Sequence, residues 1–275
     1  MTLEKLIINS LQKGELLNSE LIKAIQKQRV GTTKQGVYKA LKQLEKEEII
    51  ISHKQSSALN LNWIFETQEF MAQAQFYYSK QTNNSLNFLT LNNKSKITYH
   101  FPTLIELDSF WNQVLYILND TVPTNEPLFA YNPHQWFFYS RNKNEKNLIK
   151  AFQLKSRKCL VSLVHKDSLN INLKRSYNGE DVQYAFETKL LYDKPNLYFN
   201  CIGEFLVETL IDPNINLELD KFFKKHKTYT QEAQNELDSI VRLSGKHKMI
   251  ISKNDKKISI YKNHLAKKFI VNLNN

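Results

Sequence analysis

Asp181, Glu187 and Lys189 follow the order Asp, then Glu-x-Lys, that metal-dependent cleavage of a phosphodiester requires. Two carboxylates hold a divalent ion and a lysine polarises the attacking water. Alternating charge on an exposed strand produces the same letters, so a nuclease is carried only as a further alternative. A second concentration lies at 131–139, where His134 stands among Tyr131, Trp136, Phe137, Phe138 and Tyr139. An aromatic-lined pocket with one polar handle suits a small effector or a nucleobase. A core strand entering through the Asn132-Pro133 turn explains the residues equally well. Cys159 and Cys201 are the only cysteines and lack metal-ligand spacing, which predicts reduced, buried thiols. Phosphate loops, Gly-x-Gly-x-x-Gly, His-Glu-x-x-His and Gly-x-Ser-x-Gly are all missing. No catalytic residue, cofactor or metal ligand is therefore assigned.

The denser signal lies between residues 27 and 46, where six basic side chains (Lys27, Arg29, Lys34, Lys39, Lys42, Lys46) face one acid, Glu45. Thr32 or Thr33 offers a helix N-cap, and Val37, Leu41 and Leu44 recur at helical spacing. The opposite face then carries Lys34, Gln35, Tyr38, Lys39 and Lys42. A helix enters a major groove when one face is apolar for docking and the other bears short polar and basic groups. Gln35 has the donor and acceptor pair to read an adenine, while Thr32, Thr33, Lys39 and Lys42 are better suited to phosphates. A polar tip at 52–57 puts His53 and Lys54 within reach of a minor groove or a backbone.

The stretch from Thr32 through Lys46 to Ile49-Ile50 resembles the recognition helix of winged helix-turn-helix regulators of the MarR, GntR and PadR type. Val37, Leu41 and Leu44 match the family's apolar anchors and Ile49-Ile50 the strand entry. Glu48 stands where those families usually have Gly. The resemblance covers about a quarter of the chain. It implies sequence-specific binding of duplex DNA, most naturally by a transcriptional regulator. Separately, His165-Lys166-Asp167 is similar to part of a phospholipase D signature in letters alone, because the His-x-Lys spacing is absent.

The elements that must position these residues read as follows. Leu3, Leu6, Ile7 and Leu11 form one helical face closed by Gly14, and a second helix starts at Asn18 or Ser19 as N-cap. The recognition-type helix follows, then a hairpin through 49–63. Residues 1–65 therefore read as a winged helix-turn-helix, 66–100 as a linker or dimerisation segment, with Phe70, Ala74 and Tyr77 sharing a face, and 101–275 as a mixed α/β domain that dimerises or senses an effector. The overall class is α+β. Within the last segment, helices are expected at 104–119, 144–154, 217–225 and 231–243. Strands are expected at 128–139, 159–165, 248–252 and 257–261, and a hairpin pairs 169–175 with 182–192 around Asn178-Gly179.

The net charge of +11 adds little by itself, because 33 lysines and only five arginines, with abundant Asn and Ile, look like an AT-rich codon bias. The tail at 246–268 carries eight lysines and one acid, which would suit a second DNA surface or a replication initiator from a plasmid or mobile element. No apolar run approaches the roughly 18 residues that cross a bilayer, and the first residues do not read as a secretory signal. The expected setting is cytoplasmic, without a membrane, with duplex DNA and a second copy of the chain as partners and a small-molecule effector as a further option.

Overall fold

The computed structural model describes residues 2–80, 87–191 and 193–270. The chain divides into two compact units, Met1–Lys80 and Gln81–Asn275. In the first, α1 (Leu3–Ser10) is capped by Thr2, whose Oγ1 accepts from Lys5 N, and a short 3-10 turn leads to Gly14. A two-residue strand, β1 (Leu16–Leu17), precedes α2 (Asn18–Gln28) and α3 (Lys34–Lys46). Strands β2 (Ile50–His53) and β3 (Ser56–Leu59) then form an antiparallel hairpin, and β1 adds to its other edge. Ile7, Leu11, Leu21, Ile25, Val37, Leu41, Leu44 and Ile50 meet in one core. Their i, i+3, i+4 spacing on the helices is what turns these faces inward. Asn18 does not cap α2 with its side chain; its Oδ1 accepts instead from Ser57 Oγ at 2.7 Å, tying α2 to β3.

Glu48 closes α3 with a φ of 56°, the left-handed conformation that glycine adopts without penalty. Its N–H donates to Glu45 O and the Ile49 N–H reaches back to Leu44 O at 2.9 Å, while Asn60 Nδ2 donates to Glu48 O. The hydrogen bonds of a glycine cap are thus kept with a residue that is strained there. Glu48→Gly is expected to stabilise the protein by roughly 0.5–1 kcal/mol in urea unfolding, because relief of left-handed strain exceeds the added chain entropy. A loss of stability would show that the Glu48 side chain has a role of its own.

The first unit does not stop at residue 65: α4 (Leu61–Lys80) runs through that position, because nothing in 61–80 breaks a helix. Part of the polar stretch at 79–85 lies outside the described residues.

The second unit is built on a seven-stranded mixed sheet. Its strands are β4 (Lys96–Phe101), β5 (Leu128–Asn132), β6 (Cys159–Leu163), β7 (Val182–Phe186), β8 (Leu197–Ile202), β9 (Phe205–Leu210) and β10 (His247–Ser252), in the order β4-β10-β9-β8-β5-β6-β7. Only β5, β6 and β7 are parallel; every other pairing is antiparallel. The helices are α5 (Leu104–Thr121), α6 (Trp136–Ser140), α7 (Asn142–Leu154), α8 (Ser168–Tyr177), α9 (Pro213–Lys225), α10 (Gln231–Ile240) and α11 (Asp255–Ala266). Strands β5, β6 and β8 are buried along their whole length, as expected of strands covered on both faces. Leu128 and Ala130 face the core under α5, α7 and α9, while Phe129 and Tyr131 meet Ile258, Tyr261 and Leu265 of α11. Cys159 and Cys201 are buried and free, and burial pushes both thiols up to about 12.

Several expected elements change type. Residues 168–177 are α8 and not the first arm of a hairpin: Leu169 and Leu173, one helical turn apart, both go inward. Residues 136–139 are helical, the strand having ended at Asn132. The 257–261 strand is α11, whose Ile258, Tyr261 and Leu265 share the buried face. Across the end of the expected 66–100 linker, 96–101 forms edge strand β4, with Ile97, Tyr99 and Phe101 packed against the core.

Candidate functional site

In the first unit, Thr33 caps α3 by accepting from Gly36 N at 3.0 Å. That fixes where the helix begins and so which side chains point out. Thr32 is half-buried; Lys34, Gln35, Tyr38, Lys39 and Lys42 are exposed on one face, with Lys34 Nζ 5.9 Å from the Tyr38 ring centre. His53 and Lys54 are exposed where β2 turns into β3. Among the described residues, Lys34, Lys39, Lys42 and Lys54 take part in no ion pair.

The tail lysines behave differently. Lys253 pairs with Glu204, Lys257 with Glu208, Lys262 with Glu126 and Lys268 with Glu187. Half of the eight lysines at 246–268 are thus neutralised within the second unit, and those pairs dock α11 and its flanks onto the sheet. Lys246, Lys248, Lys256 and Lys267 are the tail lysines left without an ion pair among the described residues.

The trio Asp181, Glu187 and Lys189 does not converge. Asp181 precedes β7 and Glu187 follows it, so six residues of extended chain, roughly 20 Å, separate the two carboxylates. Glu187 is buried and accepts from Ser162 Oγ at 2.7 Å and from Lys268 Nζ. Burial opposes its charge, but those two donors and His264 hold its carboxyl below the ordinary range. Asp181 accepts from Gln153, and Lys189 is exposed. A single ion cannot be shared by carboxylates so placed.

What the fold does assemble lies beyond the carboxyl ends of β5 and β6, where doubly wound sheets place their ligands. The loop after β5 supplies His134 and the loop after β6 supplies His165 and Asp167. Asp220 comes from α9. His134 is buried, with Nδ1 3.1 Å from Asp167 Oδ2 and Nε2 2.8 Å from Asp220 Oδ1. Its ring lies between those of His165 and Phe223, at 4.5 and 4.3 Å between centres. Asn170 of α8 staples the loops together, donating to His165 O and accepting from Gln135 N. Burial works against a charged His134, yet the bonds to Asp167 and Asp220 outweigh it and raise its pKa. Burial, with His134 beside it, lowers that of His165.

On the other side of the 132–138 segment lies a cavity of about 70 Å³, room for several waters or a small organic group. Trp111, Phe137, Phe138 and Tyr184 give it aromatic walls, and Asp108, Asn112, Gln135, Glu145 and Asn132 give it polar ones. Arg141 Nη1 donates to Asp108 at 3.0 Å, and Asn112 Nδ2 donates to Glu145 Oε1 at 2.8 Å. Burial raises the pKa of both carboxyls, and Asp108 adds to the rise at Glu145. A raised carboxyl means the folded protein holds the proton more tightly than the unfolded chain. Stability therefore falls as pH climbs above the ordinary glutamate range of about 4.3. Glu145→Gln is expected to remove this loss. In urea unfolding it should be more stable than the parent by about 1 kcal/mol or more at pH 8, with the gap closing toward pH 4; a parallel pH profile would contradict it.

Of the aromatic stretch, His134 and Trp136 do not line this cavity, whereas Phe137 and Phe138 do. Asp108, Glu145 and Asp220 drew no notice in the sequence. A signal for the first two exists in the pattern, since each falls on the inward face of an amphipathic helix: Asp108 beside Leu104, Leu107 and Trp111, and Glu145 with Leu148 and Phe152. Asp220 is part of a site only because α9 packs near β5 and β6. No family model matches the chain, and neither a curated protein nor a solved structure matches it. Among the described residues, no helix is long and apolar enough to cross a membrane.

Proposed function

We propose that the first unit is a winged helix-turn-helix that binds duplex DNA sequence-specifically, and that the protein is a cytoplasmic transcriptional regulator. The observation that carries this reading is the outward face of α3: Lys34, Gln35, Tyr38, Lys39 and Lys42, capped by Thr33 and free of ion pairs with described residues. Most lysines of the chain likewise have no ion pair among the described residues; what sets these apart is that three of them share one helix face with Gln35 and Tyr38. In this reading α3 enters the major groove, Gln35 contacts base edges, Thr32, Thr33, Lys39 and Lys42 meet phosphates, and the β2–β3 tip brings His53 and Lys54 to the backbone.

One such helix reads few base pairs, so the regulator works as a homodimer on two half-sites. Phe70 of α4 is exposed, on the helix face it shares with Ala74, and that face is the one for the pairing. The cavity beside Asp108 and Glu145 is the place for a small-molecule effector. The test is duplex binding by the full chain as a function of salt. With Lys34 joining Lys39, Lys42 and Lys54 on phosphates, four lysine contacts per copy predict that log K falls against log salt with a slope of about −3 to −4 for one copy, doubling for a dimer. A slope near zero, or no binding at low salt, would sink the reading.

A further inference from the structure

We propose that His134, His165 and Asp220 form a binding site for one divalent transition-metal ion of the zinc type. Each offers a ligand atom, and the three atoms lie within 4.8 Å of one another. They come from three separate segments, the loops after β5 and β6 and the middle of α9, so only the folded unit brings them together. Two nitrogens and one carboxylate oxygen are a donor set that suits Zn²⁺. With a solvent molecule in the fourth position they would complete a tetrahedron.

Three details favour an ion over a cluster that merely satisfies itself. First, His165 Nε2 is buried and has no hydrogen-bond partner among the described residues, although it belongs to the trio. A buried polar atom without a partner costs free energy unless something fills the place. Second, His134 turns Nε2 toward the trio while its other nitrogen rests against Asp167 at 3.1 Å. A carboxylate on the far nitrogen is the usual way to fix the orientation and basicity of a metal-ligating histidine. Third, Asp220 has its own support, Asn216 Nδ2 lying 3.5 Å from Oδ2, so Oδ1 is the oxygen directed at His134.

Closing the site asks for the rotation of one ring. Ligand atoms about 2.1 Å from an ion sit about 3.4 Å apart in a tetrahedron. His134 and Asp220 are already closer than that, whereas the His165 ring, stacked on that of His134 at 18° between planes, has to turn out of the stack to aim its nitrogen at the same ion. Because Asp220 and His165 are only partly buried, an ion has a way in.

The test titrates the full chain, stripped with a chelator, against ZnCl₂ by calorimetry and against Co²⁺ by visible absorption. One equivalent should bind with a micromolar or tighter Kd, and Co²⁺ should give the intense bands of a tetrahedral site. His165→Ala should weaken Zn²⁺ binding at least tenfold, as should Asp220→Asn, and Asp167→Asn should weaken it about 10-fold to 100-fold. His226→Ala, whose ring pairs with Glu236 instead, should leave binding unchanged. Circular dichroism checks that each variant is folded. Absence of one-to-one binding by the parent overturns the assignment, as does a folded His165→Ala that binds Zn²⁺ like the parent. Because neither readout involves DNA, the outcome is independent of the function proposed above.

Discussion

Arg157→Leu is expected to destabilise the second unit by about 3–5 kcal/mol, a drop of roughly 10 °C in Tm. Arg157 is 1 % exposed and sits just before β6. Its guanidinium donates to Asn119 Oδ1 at 2.9 Å, to Pro123 O at 3.0 Å, to Val122 O at 2.7 Å and to Glu126 O. No carboxylate among the described residues pairs with it; carbonyls at the end of α5 and in the turn before β5 take its donors. Removing the group strands those carbonyls in the interior, and each lost partner of a charged donor costs about 1–3 kcal/mol, less whatever water can replace. Leu128 N also donates to Lys158 O, so the same corner sets β5 beside β6. From the far ends of those strands come His134 and His165, and a loosened corner should therefore weaken Zn²⁺ binding as well. Arg157→Lys should recover less than half of the loss, because an ammonium cannot span four acceptors. Urea unfolding measures both variants; a loss under about 1 kcal/mol for Arg157→Leu would show that the corner is held by packing alone.

How much of this was readable beforehand depended on whether the determining contacts are local. Thr33 as cap, with Val37, Leu41 and Leu44 as anchors, is specified within four residues at a time, and α3 lies where that pattern puts it. The buried strand at Cys159–Leu163 is similarly local, being apolar throughout. Alternation misled where it coincided with helical spacing. Lys257-Ile258-Ser259-Ile260-Tyr261 alternates like a strand, yet Ile260 is 52 % exposed, and the face that buries is Ile258, Tyr261 and Leu265. Asn178-Gly179 looks like a hairpin tip but joins α8 to β7. The polar sites were the least legible. His134 was visible as a residue, but its partners Asp167 and Asp220 lie 33 and 86 positions away, and no short motif encodes such a distance. Asp181 and Glu187 show the converse, since a spacing that fits a known chemistry is taken apart by the strand between them.

Gln35→Ala and Lys39→Ala are expected to damage DNA binding in different ways, and the difference tests the proposed docking of α3 more sharply than affinity alone. Against a preferred duplex selected from a random-sequence pool, Gln35→Ala should cost about 1–3 kcal/mol, five-fold to 150-fold in Kd, with preference lost at one base pair. Binding to unrelated duplex should barely change, because a base-edge contact contributes nothing there. Lys39→Ala should weaken binding to every duplex alike and reduce the salt slope by about one. Combining Lys34→Ala, Lys39→Ala and Lys42→Ala should take roughly three from the slope, and should cost about 100-fold or more at low salt. None of these side chains is buried or ion-paired with a described residue, so the fold has no reason to suffer, and circular dichroism should be unchanged. The same triple change among tail lysines, Lys253, Lys257 and Lys262, breaks pairs with Glu204, Glu208 and Glu126 and should lower stability before it touches DNA. If the tail variant lost DNA affinity while remaining folded, and the α3 variant did not, the nucleic-acid surface would lie on the second unit and α3 would be a solvated helix.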